Sequence, residues 1–92
     1  MLKKIKANTI DWVSAYIFFQ FGLSNYRSRN FPGSLLNNSK AIRLKPDFTF
    51  AYFNRGLAKF DISDFQGAIE DYLKAVELKP NFEEAINALK SL

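Results

Sequence analysis

The chain has 92 residues, enough for one domain with a modest core. Hydrophobic residues make up 48% of it and ten are Phe, a composition that excludes disorder, while the lack of both Cys and His excludes disulfides, thiolate sites and imidazole chemistry. The net charge of +4 is uneven: residues 1–48 hold eight Lys/Arg against two Asp (+6), and residues 49–92 hold five against seven carboxylates (−2).

Residues 1–8 form a basic N-terminal segment carrying Lys3, Lys4 and Lys6, and the remainder, 9–92, is expected to be a single helical domain. The apolar stretch Ile10 to Leu23 has the outline of a signal peptide. Asp11, Ser14 and Gln20 interrupt it, however, and no small-x-small cleavage site follows. It is also too short and polar to span a bilayer. The reading preferred is a buried first helix over about 9–27, whose Trp12, Tyr16, Ile17, Phe18, Phe19 and Phe21 predict burial on nearly every side. Met1, with no repeat before it, is read as a natural start.

A second helix is expected over about 32–45, opened by Pro32, whose missing N–H is harmless at a helix start. A third spans about 48–61, with Gly56 at its centre. A mid-helix Gly costs up to about 1 kcal/mol relative to Ala, so close approach of Ala68 or Ala75 on the partner helix is the expected compensation. The fourth, about 64–78, carries Phe65, Ala68, Ile69, Tyr72, Ala75 and Val76 as one apolar stripe, with Ser63 or Asp64 as its cap and Pro80 as its stop. A fifth is expected over about 82–91. Short loops predict antiparallel neighbours throughout.

The chain repeats itself at an interval of 34. Leu44-Lys45-Pro46 recurs as Leu78-Lys79-Pro80, and Gly22, Ala41, Phe19, Phe31 and Phe48 recur as Gly56, Ala75, Phe53, Phe65 and Phe82. With Tyr52, Gly56, Phe65, Ala68, Tyr72, Ala75, Leu78 and Pro80 at set positions, residues 49–82 resemble the tetratricopeptide repeat family. Residues 15–48 resemble a degenerate copy keeping Phe18, Gly22, Phe31, Ala41, Leu44 and Pro46. Ser34 and Asn38 depart from the family's small and aromatic residues, and loose packing is expected there. Residues 83–92 resemble a closing helix. The fold implied is all-α, an antiparallel helix-pair solenoid of two repeats and a closing helix.

The resemblance implies a protein-interaction module with no enzymatic activity and no cofactor. The first helix of each repeat would line a concave groove of Tyr16, Phe19, Gln20, Leu23, Phe50, Phe53, Asn54 and Leu57, with Glu84 and Asn87 at its edge. One family subtype clamps acidic chaperone tails with Lys, Asn and Arg. Here only Asn54 fits, because the other clamp positions hold Phe19, Leu23, Glu84 and Ala88, so the resemblance argues against such a ligand. Any single aromatic of that set reads more readily as helix-packing core, while the set at groove positions favours binding.

Asp61, Asp64, Glu70 and Asp71 accompany no base, nucleophile elbow or phosphate loop. Capping by the first two and a Glu70–Lys74 pair are their plain roles. The partner implied is another protein, with a second copy of the chain as the alternative, because two repeats are fewer than a solenoid of this type needs. A basic surface for nucleic acid or membrane is the third reading; it is disfavoured because the aromatics follow core periodicity and no recognition motif appears. The lack of Cys fits a reducing, cytoplasmic setting.

Overall fold

The computed structural model describes residues 2–92, with side chains from Ile10 onward. Five helices follow one another: α1 Leu2–Arg27, α2 Phe31–Leu44, α3 Thr49–Asp61, α4 Phe65–Leu78 and α5 Glu83–Lys90. α1 begins earlier than the expected residue 9, because Leu2 to Ala7 holds no helix breaker and Lys and Leu are good helix formers. The side chains of the basic segment 1–8 lie outside the described residues. The other ends fall within one or two residues of expectation.

The connections are built twice from one plan. Asn30 caps α2 by accepting the Gly33 N–H at 3.1 Å, and Asp64, 34 residues on, caps α4 by accepting the Gly67 N–H at 3.0 Å. The residues before these caps, Arg29 and Ser63, turn the chain with φ of 64° and 68°. At the far ends Lys45 and Lys79 donate backbone N–H groups to Ala41 and Ala75, both at 2.9 Å, and Pro46 and Pro80 follow.

Each helix packs on the next, α1 on α2, α2 on α3, α3 on α4 and α4 on α5, with a smaller contact between α1 and α3. The molecule is therefore an antiparallel helix-pair solenoid, a slab of 45 × 29 × 17 Å. Its core is also duplicated. Ala15, Ala41 and Ala51 meet under Phe18, Phe19, Ile42 and Phe48. Ala75, Phe82 and Ala85 meet under Tyr52, Phe53 and Val76, which are the same positions one repeat later for all but Ala15. Alanines at the crossings let backbones approach, and the rings cover the seam.

The expected partners of Gly56 need correction. A Cβ there would meet the Tyr72 ring, with Cε1 at 2.6 Å and Cδ1 at 2.8 Å, not Ala68 or Ala75. In the first repeat a Cβ on Gly22 would meet Asn38 Nδ2 at 2.5 Å. The loose packing expected at Ser34 and Asn38 is also absent, since both are fully buried. Asn38 fills the Tyr72 position with a smaller side chain and donates to Ser34 O at 3.0 Å and Ser34 Oγ at 3.2 Å.

Lys74 pairs with Glu77 at 3.2 Å and not with Glu70. Asp71 is the more consequential carboxylate. Arg55 grips it with two hydrogen bonds of 2.8 Å, Lys59 lies at 3.1 Å, and its side chain is 5% exposed. The bond to Asp71 raises the pKa of Arg55 against the effect of burial. In the first repeat the same three positions hold Phe21, Asn25 and Asn37, and Asn37 donates to Asn25 at 2.7 Å. The ion triad of one repeat is a neutral amide pair in the other.

The expected burial of α1 on all sides also needs correction. The chain covers only the side that carries Ala15, Phe18 and Gly22. Trp12, Tyr16, Ile17 and Phe21 are 47–57% exposed, because no helix packs on their side among the described residues. No helix among the described residues is long and apolar enough to cross a membrane.

Candidate functional site

A groove wall needs side chains that point away from the partner helix, and α1 and α3 supply them at matching positions. Tyr16 and Phe50, 34 residues apart, are 56% and 47% exposed. Phe19 and Phe53 point the same way but are half-buried, braced from behind. Phe19 stacks on Phe48 at 4.9 Å, and Phe53 on Phe82 at 5.1 Å and on Tyr72 at 5.6 Å. The eight groove positions thus divide by role. Tyr16, Gln20 and Phe50 are exposed; Phe19, Leu23, Phe53 and Leu57 are half in the core; and Asn54 is buried. The Nδ2 of Asn54 has no hydrogen-bond partner among the described residues. Glu84 and Asn87 are exposed at the edge on α5.

The sequence reading missed three features of this face. Trp12, one helical turn before Tyr16, extends the aromatic row; its i−4 spacing was the available signal. Lys45 and Lys79 lay their ammonium groups over aromatic rings, Lys45 at 5.6 Å from Trp12 and Lys79 at 5.3 Å from both Phe50 and Phe82. Finally, beyond Leu57 a cavity of about 200 Å³ opens between α3, α4 and α5, lined by Leu57, Phe60, Tyr72, Ala88 and Ser91. It exists because α5 has eight residues where α3 has 13. In the first repeat the corresponding space is closed by the last turn of α3, where Asp61 accepts a 2.6 Å hydrogen bond from Tyr26.

The structural residues sit where the repeat needs them. Gly22, Ala41, Gly56, Ala68, Tyr72 and Ala75 are buried at helix crossings, and Pro46 and Pro80 are exposed in the loops. No group of acidic residues among the described ones could hold a metal ion.

Residues 49–82 match the family profile described as the tetratricopeptide repeat, over the whole 34-residue period found in the sequence. This segment is similar to a tetratricopeptide repeat. Solved structures extend the likeness to 79–84% of the chain. The first TPR of Spaghetti (RPAP3), bound to the HSP90 peptide SRMEEVD, superposes with a TM-score of 0.82 at 28% identity over 84% of this chain and 61% of that one. MamA gives 0.81 at 26% identity, over 83% and 44%. The TPR2B domain of yeast Sti1, in its pHsp70 complex, gives 0.77 at 27% identity, over 79% and 58%. The chain therefore spans less than two thirds of each of these relatives. No curated protein matches it by sequence. Two of these relatives are seen in complexes, the Spaghetti repeat with an HSP90 peptide and the Sti1 domain with pHsp70.

Proposed function

We propose that the concave face of α1, α3 and α5 binds a segment of another protein through apolar side chains. The observation that carries this reading is the pair Tyr16 and Phe50, left half in water at the same position of both repeats; at the other end of α3, past Leu57, an apolar cavity opens. Asn54, with its spare buried donor, would take a backbone carbonyl of the bound segment. The chemistry of the groove differs from what an acidic tail such as SRMEEVD needs: by the resemblance, Phe19, Leu23, Glu84 and Ala88 hold the clamp positions, and none of them can hold a carboxylate. A second reading, self-association, is favoured by the uncovered apolar side of α1.

Panning a random peptide library on the immobilised chain tests the groove. The expected selection is enriched in segments with two or more large apolar residues, which bind the Tyr16→Ala/Phe50→Ala variant at least about tenfold more weakly. Selection of acidic tails, or undiminished binding by the variant, would overturn it.

A further inference from the structure

The repeat's own geometry predicts what covers the open side of α1. On α3, α2 covers the side that carries Ala51 and Arg55: Ala51 is fully buried with Ala41, and Arg55 Nη1 donates to Ser39 Oγ at 3.2 Å. One repeat earlier those two positions are Ile17 and Phe21, and with Ile10 and Val13 they form a single stripe that is 47–63% exposed. α1 therefore presents an apolar surface where the fold places a helix. Between Ile10 and Tyr26 the only charged residue is Asp11.

The opposite end of the molecule is open in a complementary way. α5 is short, so it covers the half of α4 that carries Ala75 and Val76 and leaves the other half free. Phe65 and Leu73 are 49% and 54% exposed there, whereas their first-repeat equivalents Phe31 and Ser39 are half-buried, Ser39 against Arg55 of α3. Phe60 and Ile62 continue the patch around the α3–α4 turn. Leu73 stands one repeat after Ser39, and Phe21 one repeat before Arg55. The polar intrachain contact Ser39–Arg55 thus has, at the two open ends, an apolar counterpart.

We infer that a second copy of this chain docks head to tail, its α1 stripe against the free half of α4. This contact develops the self-association reading and leaves the groove residues Tyr16 and Phe50 free; Phe60, which lines the groove's cavity, borders both surfaces. Charge selects the polarity. The half that contains α1 carries +6 and the half that contains α4 carries −2, so head-to-tail docking joins opposite signs, whereas α1 against α1 would bring two +6 halves together. A contact between two different faces builds an open chain, or a ring where the rotation closes, so assembly grows beyond a dimer with concentration.

Sedimentation velocity on the full chain, from low-micromolar to sub-millimolar concentration, tests this with two variants at exposed positions. The parent chain should form oligomers whose mass rises with concentration and falls with added salt. Ile17→Glu/Phe21→Glu removes one face and Leu73→Lys the other; each alone should be monomeric, and an equimolar mixture should give a 1:1 dimer and nothing larger. Circular dichroism identical to that of the parent keeps a loss of assembly from being read as unfolding. A parent chain that stays monomeric throughout would sink self-association itself. Dimers that persist in Leu73→Lys, or strengthen with salt, would leave self-association standing and overturn the head-to-tail arrangement.

Discussion

Gly56 and Tyr72 touch backbone to ring: a methyl group on Gly56 would fall 2.6 Å from Tyr72 Cε1. Tyr72 is 2% exposed and packs on Phe53 at 5.6 Å, so the ring can shift only towards the cavity that it lines and at the expense of that contact. The glycine is there because the α3–α4 crossing is that close.

Gly56→Ala sets two effects against each other. Alanine gains about 1 kcal/mol of helix propensity, but the overlap with the packed ring costs about 1–3 kcal/mol, a net loss of up to about 2 kcal/mol. The net effect is a loss, read in a thermal melt as a drop of about 4–8 °C per kcal/mol for a domain of this size. A variant that melts at or above the parent would mean that the ring yields.

The Asp71 triad offers a second test. Removing the carboxylate leaves Arg55 and Lys59, each 21% exposed, without their partner. Breaking a buried pair from one side costs about 3–5 kcal/mol, and the partial exposure of the two cations puts Asp71→Ala near the lower figure. The first repeat already uses Phe21, Asn25 and Asn37 at these positions. The triple change Arg55→Phe, Lys59→Asn and Asp71→Asn should therefore lose less stability in urea unfolding than Asp71→Ala alone.

Those same residues show where the sequence was readable. The 34-residue interval located both repeats, and Pro32, Asp64 and Pro80 marked helix ends to within one or two residues, because caps and stops are local chemistry. The closeness of Gly56 to its neighbour was also legible, but not the neighbour's identity. Ala68, Tyr72 and Ala75 lie on nearly one face of α4, and only the crossing geometry selects Tyr72. The Arg55–Asp71 bond joins residues 16 apart on different helices, which no spacing rule detects. In the groove, the row Tyr16, Phe19, Phe50 and Phe53 was implied by the resemblance to the tetratricopeptide repeat, not by helical spacing alone. Which of them lean on the core depended on Phe48 and Phe82 from the loops, and the cavity depended on where α5 stops.

Two tyrosines make the fold sensitive to alkali. Burial, with a hydrogen bond to Asp61 and that residue's charge, pushes Tyr26 up to about 12. Burial with the charges of Asp61 and Asp71 does the same to Tyr72. Both hold their protons more tightly folded than unfolded, so their contribution is complete below pH 10 and is lost as pH rises from 10 towards 12. Stability followed by urea midpoint should stay flat with respect to these groups up to pH 10 and then fall. The fall should be shallower in Tyr26→Phe; an unchanged slope in that variant would remove Tyr26 from the account.

Packing and binding separate along the aromatic row. Tyr16 and Phe50 stand half in water, so the double variant Tyr16→Ala/Phe50→Ala should change stability by only about 1 kcal/mol, within reach of the lost contacts of Tyr16 with Phe19 at 6.3 Å and Phe50 with Phe82 at 5.3 Å. Phe53 sits between Tyr72 and Phe82 over the Ala75–Ala85 crossing, and Phe53→Ala should open a cavity costing about 2–4 kcal/mol. Urea unfolding of the two variants side by side gives the comparison. If Tyr16→Ala/Phe50→Ala destabilised the chain as much as Phe53→Ala, those rings would be core. A groove residue should be cheap for the fold to lose and expensive for the partner.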